Sequence, residues 1–238
     1  MYAIKWKEPV VSAVRRIARE QCDTLVLAER PGGSGPVGVL HVDEVQRNVR
    51  RGLSLLAAVG PLMDPPALRR ERSALRRAAR GLARLESDDD VAAASRPRAM
   101  EAVNAALRDV RMRAGYWHLN ADGFDALRPG LGRVYGAARR RVRSASLDER
   151  LTDEGRGLLA EALWGYADAL KLVERAWPEL LKAERRRVRG LAEALTGESA
   201  DEAGEQLAEA AAWMSETPGR WCDRVAGYWA AWRGGLVA

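Results

Sequence analysis

Apolar positions along the chain recur at helical spacing and almost never alternate. Val11, Val14, Ala18, Cys22 and Leu25 form a first stripe, closed by the turn-rich loop RPGGSGPVG. A second helix is predicted over about 42–59, with Val45, Val49, Leu53 and Leu56 towards one side. Pro61, Pro65 and Pro66 punctuate before a third over about 67–85, and Met100, Val103, Leu107 and Val110 mark a fourth. After NADGFDALRPG the pattern predicts a long fifth helix through Arg143. Leu159, Leu163, Tyr166, Leu170, Val173 and Trp177 make an unusually regular stripe for a sixth. Pro178 stands where the first turn of a seventh helix accepts proline, and that helix runs to about Leu195. An eighth spans about 200–214. Strand signals are nearly absent, so the expected fold class is all-α, a bundle of eight helices with short connections.

The chain also echoes itself. RRAARGLARL (76–85) and RRRVRGLAEA (185–194) share Arg-Gly-Leu-Ala at 80–83 and 189–192, each as the third helix of its half. A duplicated four-helix unit accounts for this, and coincidence in an Ala/Arg-rich chain is the alternative. The duplication divides a single domain over 1–238 into a first repeat at about 8–115 and a second at about 122–212. A Trp-rich extension, 213–238, follows. There Trp221, Arg224, Val225, Tyr228, Trp229 and Trp232 fall on one helical stripe. One reading is a ninth helix packed on the bundle. The other is an aromatic face, with Trp221, Tyr228, Trp229 and Trp232 exposed for a protein partner or for self-association.

Composition narrows the partners. The 238 residues carry a formal charge of +6 and a pI near 9.7, which favours phosphate chains, nucleic acid or an anionic membrane surface. Cys22 and Cys222 fit no zinc or redox spacing, and two free thiols in a reducing compartment are preferred to a disulfide. The start, MYAIKWKEPVV, has no apolar h-region, and no apolar run reaches membrane-spanning length, so a cytoplasmic protein is expected.

Charge is strongly segregated. On the third helix Leu68, Leu75, Ala78, Ala79, Leu82 and Leu85 occupy one arc. Arg69, Arg70, Arg72, Arg76, Arg77, Arg80 and Arg84 occupy the other, with Glu71 as the lone acid among them. Like charges one turn apart repel, so such a face gains from an anion that offsets it. Arginine suits phosphate because its planar fork donates two parallel hydrogen bonds. Arg47, Arg50 and Arg51 share a face of the second helix, with Asp43 one turn ahead and placed to pair with Arg47. Lys182, Arg185, Arg186, Arg187 and Arg189 line the third helix of the second half. A solvated face is the plain alternative for each of these runs. From Gly190 to Gly219 the sign reverses, and Glu198, Glu202, Glu205 and Glu209 lie on one helical face that could neutralise part of the basic surface.

Catalytic chemistry finds little support. His118 reads as a loop or surface histidine. Asp88, Asp89 and Asp90 lack the glycine and glutamate of a calcium loop and read as a solvated acidic loop. Ser34 is in no nucleophile elbow, and no glycine loop suited to cradling phosphate is present, so no metal or cofactor is expected. An enzyme would have to draw acid and base groups from Asp43, Glu154, Glu161 or Asp168.

The order of segments resembles the CHAD family, the conserved histidine α-helical domain. RRIAREQ, DEVQRNVRRGLSLLAAVGP and LRRERSALRRAARGLARL are similar to its first half. GYWHLNADGFDALRPGLGRVYGAARRRV and ERAWPELLKAERRRV are similar to parts of its second, and the resemblance covers about residues 8–210. It implies a bundle of two four-helix repeats around a basic cavity that binds inorganic polyphosphate, without known catalysis. By that resemblance Arg47, Arg50, Arg51, Arg69, Arg76, Arg77, Arg80, Arg84, Arg185, Arg186 and Arg189 would hold phosphate oxygens. The family's signature histidine position in the first half holds Asp43, and His41 lies about 200° round the helix from that face. In the second half TDEGRGLLAEALWGYADALK puts Glu154, Glu161 and Asp168 where the family has cations, leaving Arg156 and Lys171. The resemblance therefore implies a divergent member with a partly degenerate cavity. An accessory or scaffold protein, acting through the Trp-rich end or as a dimer, is the alternative reading.

Overall fold

In a computed structural model, residues 2–23, 40–86, 90–148, 151–197 and 203–235 are described. Among them the secondary structure is entirely helical. The first half comprises α1 (Val10–Asp23), α2 (Leu40–Val59), α3 (Pro65–Glu86) and α4 (Asp90–Ala114). The second comprises α5 (Arg128–Ala145), α6 (Asp153–Val173), α7 (Pro178–Thr196) and α8 (Ala203–Trp213), and α9 (Pro218–Arg233) closes the chain. The eight expected helices are present among the described residues, and α9 is the ninth that one reading of the Trp-rich end gave. Ser34, Asp88, Asp89, Glu198 and Glu202 lie outside the described residues, as do the side chains of His41 and Asp90.

Two local features follow directly from the residues. A short 3-10 turn, Gly60–Leu62, follows α2, and another, Glu174–Ala176, follows α6; each is succeeded by a helix whose first turn holds proline. Proline lacks an N–H, and the first helical turn needs none. Thr152 and Thr217 cap α6 and α9, accepting from the Gly155 and Arg220 N–H groups at 3.1 and 3.4 Å. Two expectations change in detail. The stripe ending at Trp177 is not one helix, because α6 stops at Val173 and the 3-10 turn intervenes. The fourth helix begins well before its apolar stripe and accommodates Pro97 in its interior.

Helices α3 and α4 pair extensively, as do α6 and α7, while α2 packs against α1, α3, α5 and α6 and so joins the two halves. One continuous core results, running from Val45, Leu55 and Leu56 of α2 to Leu163, Tyr166 and Leu170 of α6. The start of the chain threads between those helices: the Ile4 N–H donates to Leu172 O at 3.1 Å, and the Tyr2 hydroxyl donates to Arg51 O at 3.0 Å.

The Trp-rich end is core, not surface. Trp221 is fully buried, stacked on Tyr135 at 4.9 Å between ring centroids and edge-on to Tyr166 at 5.6 Å. Its indole N–H donates to Glu184 Oε1 at 3.2 Å, and the Tyr166 hydroxyl donates to the same oxygen. Trp229 and Trp232 are buried against Phe124 and each other, and Tyr228 packs half-buried on Trp177. Of the two readings of this stretch, the ninth helix packed on the bundle is the one found, and the reading in which Trp221, Tyr228, Trp229 and Trp232 present an aromatic face to a partner is corrected. The stripe faces inward because desolvating indole rings against the bundle is favourable, with the Arg224 guanidinium over the Tyr228 ring and that of Arg233 over the Trp229 and Trp232 rings. Cys22 and Cys222 are both buried and unpaired. Among the described residues no helix is long and apolar enough to cross a membrane.

Candidate functional site

A cavity of about 590 Å³ opens between α2, α6 and α7. Helix α2 lines it with Asp43, Gln46, Arg47, Arg50 and Arg51. Helix α6 contributes Trp164, Ala167, Asp168 and Lys171, and α7 contributes Arg185, Arg189 and Glu193. Six cations and three carboxylates therefore share one concavity. Low-dielectric walls strengthen the field of such a cluster relative to the same charges in open solvent.

The cations are held in place by specific neighbours. The Arg50 guanidinium lies 4.3 Å from the Trp164 ring centroid, and that of Arg189 lies 5.7 Å from the same ring. Arg51 lies over the Tyr2 ring at 5.6 Å. Glu174, buried in the turn after α6, accepts from Lys171 Nζ at 3.0 Å and from Arg185 Nε at 2.6 Å. A buried carboxylate with two cationic donors fixes both side chains at the cavity wall. Arg189 pairs with Glu193 at 2.9 Å, a half-exposed i, i+4 contact. Asp168 lies between Arg50 and Arg51 at 3.5 and 3.8 Å and accepts from the Ser54 hydroxyl at 3.3 Å. Burial pushes its carboxyl above the usual range, against the opposing pull of the two arginines and Ser54.

Of the sequence-based candidates, Arg47, Arg50, Arg51, Arg185 and Arg189 meet in this cavity. The others do not. Arg69, Arg76, Arg77, Arg80 and Arg84 are exposed on α3, and Arg186 is exposed on α7. The expectation that the third-helix arginines face a shared pocket is corrected for α3. Leu75, Ala78 and Leu82 are buried where α3 packs on α2 and α4, so the complementary arc must face solvent. Asp43 stands at the cavity wall but forms no ion pair with Arg47 among the described residues. Of the four carboxylates that an enzyme would need, Asp43 and Asp168 line the cavity, whereas Glu154 and Glu161 are exposed elsewhere. Glu205 and Glu209 are exposed outside the cavity lining, so the described part of the acidic face does not fill it. His118 is exposed.

Trp164, Glu174 and Ser54 are site residues that the sequence reading missed, and Trp164 is the one closest to a pattern. It falls off the regular α6 stripe, and the available signal was its position one turn before Asp168, on the face that the arginines of α2 meet.

No protein-family model matches the chain, and no solved structure matches it. A stretch of 62 residues is 42% identical to the asparagine–tRNA ligase of Baumannia cicadellinicola subsp. Homalodisca coagulata. The match covers 24% of this chain and 13% of the ligase, so the chain spans only a small part of that relative.

Proposed function

We propose that the chain is a CHAD-like bundle that binds a polyanion without catalysis, inorganic polyphosphate being the ligand class, in the cavity between α2, α6 and α7. One observation carries this reading: five guanidiniums and one ammonium from three helices converge on a single cavity of about 590 Å³. Arg47, Arg50, Arg51, Arg185, Arg189 and Lys171 would donate to phosphate oxygens, with the stack on Trp164 and the Glu174 clamp setting the directions of their forks. Charge alone would leave nucleic acid as a candidate, but a cavity walled by three helices suits a slender phosphate chain better than a duplex. The carboxylates that line it limit affinity, because Asp43, Asp168 and Glu193 repel phosphate oxygens from the same concavity.

Titration with long-chain polyphosphate at two salt concentrations tests the reading. For roughly five phosphate contacts, affinity should fall about a hundredfold between about 50 and 200 mM salt. Absence of binding at the lower concentration would overturn it.

A further inference from the structure

Asp168 differs from the other groups in the cavity. It lines the open space yet is only 7% exposed. Its oxygens stand 3.5 Å from Arg50 Nε and 3.8 Å from Arg51 Nε, longer than the roughly 2.8 Å of a well-formed charge-assisted hydrogen bond. Both Nε–H groups are buried and have no hydrogen-bond partner. The carboxylate thus supplies charge to these donors without satisfying them, and a buried unsatisfied donor is costly. A phosphate oxygen placed there would supply both charge and acceptor.

We propose that Asp168 is a built-in competitor for the anion: phosphate oxygens take over Arg50 and Arg51 as the Asp168 carboxyl accepts one proton from solvent. This inference rests on the polyanion-binding reading above. In the step, the guanidinium N–H groups exchange a carboxylate for phosphate, no covalent bond breaks, and the proton resides on an Asp168 oxygen. Once protonated, that carboxyl donates a hydrogen bond, so it changes from a rival of the phosphate into a partner.

Every helix packed around Asp168 bears on this. From α2 it is faced by Arg50, Arg51 and the Ser54 hydroxyl, with Arg47 and Asp43 further along the wall. On its own helix stands Lys171, and from α7 come Arg185, Arg189 and Glu193. Helix α5 adds no charged group to the lining, and Glu174 in the turn after α6 is committed to Lys171 and Arg185. Tyr2, in the segment between α2 and α6, is held neutral by burial and donates its hydroxyl to Arg51 O. Burial already opposes charge on Asp168 despite its two arginines. An incoming anion adds negative charge beside it and raises its proton affinity further. By linkage, protonation strengthens anion binding by the same factor.

The test is a pH series of binding titrations with long-chain polyphosphate, whose internal groups stay ionised throughout. Wild-type affinity is expected to climb as pH falls from about 8 to about 5, by up to about tenfold per unit. Calorimetry in buffers of different ionisation enthalpy should report an uptake approaching one proton. Asp168→Asn should bind more tightly than wild type at the upper end of the series, with a flattened profile. A wild-type profile that is flat, with no proton uptake, overturns the inference. So does an Asp168→Asn protein that binds more weakly throughout or keeps the wild-type slope. Should that variant not fold, the triple variant His41→Gln/Asp43→Asn/Glu193→Gln decides: a surviving slope supports Asp168, and a lost slope overturns it. Polyphosphate binding without proton uptake leaves the polyanion reading standing and removes only this one. No binding at any pH in low salt removes both.

Discussion

Gly130 of α5 rests directly on the backbone of Ala58 in α2. A β-carbon built on Gly130 would lie 1.8 Å from the Ala58 carbonyl oxygen and 2.3 Å from its carbon. The two halves of the bundle meet here with no side chain between them, and α2 is thereby set at the distance from α5 that fixes its other face against α6. Backbone cannot rotate aside as a side chain can. Gly130→Ala should therefore destabilise the protein by at least about 3 kcal/mol, the upper end of ordinary overpacking. Gly157→Ala is the matching control, because that position is exposed on α6 and a β-carbon there meets nothing within 4 Å. It should stabilise by about 0.5–1 kcal/mol through helix propensity. Urea denaturation of both variants reads the two signs.

Glu71 is fully buried and accepts from Arg113 twice, at 2.8 Å from Nε and 3.1 Å from a terminal nitrogen. Arg70 adds a contact at 3.2 Å, and the pairing raises the Arg113 pKa above its ordinary value. This pair ties α3 to the end of α4. Removing Arg113 leaves the buried carboxylate with only the exposed Arg70, at 3.2 Å, among the described residues, and breaking a buried pair costs about 3–5 kcal/mol. Arg113→Ala is expected to lose that much in chemical denaturation. Glu71→Gln, which keeps the shape and removes the buried charge, should lose clearly less. Equal losses would mean that packing, not charge, sets the energy here.

Glu71 also shows how far one-dimensional pattern reaches. On a helical wheel it is a lone acid in an arginine face, and its burial depends on Arg113 of another helix. The α3 arginines raise the same difficulty in reverse. Periodicity correctly separates Leu75, Ala78 and Leu82 from Arg76, Arg77, Arg80 and Arg84, but it does not say whether the polar arc meets water or a cavity. Helix positions were legible because apolar spacing, turn loops and prolines all agree with the local backbone. The cavity was legible only in part, since Arg50, Arg189 and Trp164 become neighbours through the packing of α2, α6 and α7. Gly130 gave no one-dimensional signal, because a close helix crossing leaves the apolar period of either helix unchanged.

Acid should loosen the start of the chain first. Arg16 donates to both Glu8 oxygens, at 2.7 and 2.8 Å, and to Ala3 O at 2.9 Å, binding the N-terminal segment to α1. The hydrogen bonds from Arg16 hold the Glu8 carboxyl below its ordinary value. A depressed carboxylate contributes stability that is present above its unfolded pKa and lost as pH falls through the folded one. The expected loss therefore falls in the acidic range, below the usual glutamate value. Asp168 has the opposite sign, because its raised pKa makes its contribution more favourable as pH falls. Hydrogen exchange at acidic pH should show amides near Ala3 and Ile4 opening before those of α6. Glu8→Gln should show that opening already at neutral pH.

Two pairs of arginines separate site binding from general charge attraction. Arg47 and Arg189 line the cavity and have few structural duties, Arg189 having a half-exposed pairing with Glu193 and a place 5.7 Å from the Trp164 ring centroid. Arg76 and Arg80 are exposed on α3, away from the cavity lining. Removing either pair lowers the net charge equally, so a purely non-specific attraction would weaken equally in both double variants. A guanidinium bonded to phosphate is worth about 1.5–3 kcal/mol. Arg47→Ala/Arg189→Ala should accordingly lose about a hundredfold or more in polyphosphate affinity and flatten the salt dependence by roughly two contacts. Arg76→Ala/Arg80→Ala should stay within about threefold of wild type, because exposed charges outside the cavity lining make no bond to a ligand held there and attract it only through salt-screened solvent. Unchanged melting temperatures in both variants would confine the difference to binding. Equal losses in the two pairs would place the interaction on the surface as a whole and not in the cavity between α2, α6 and α7.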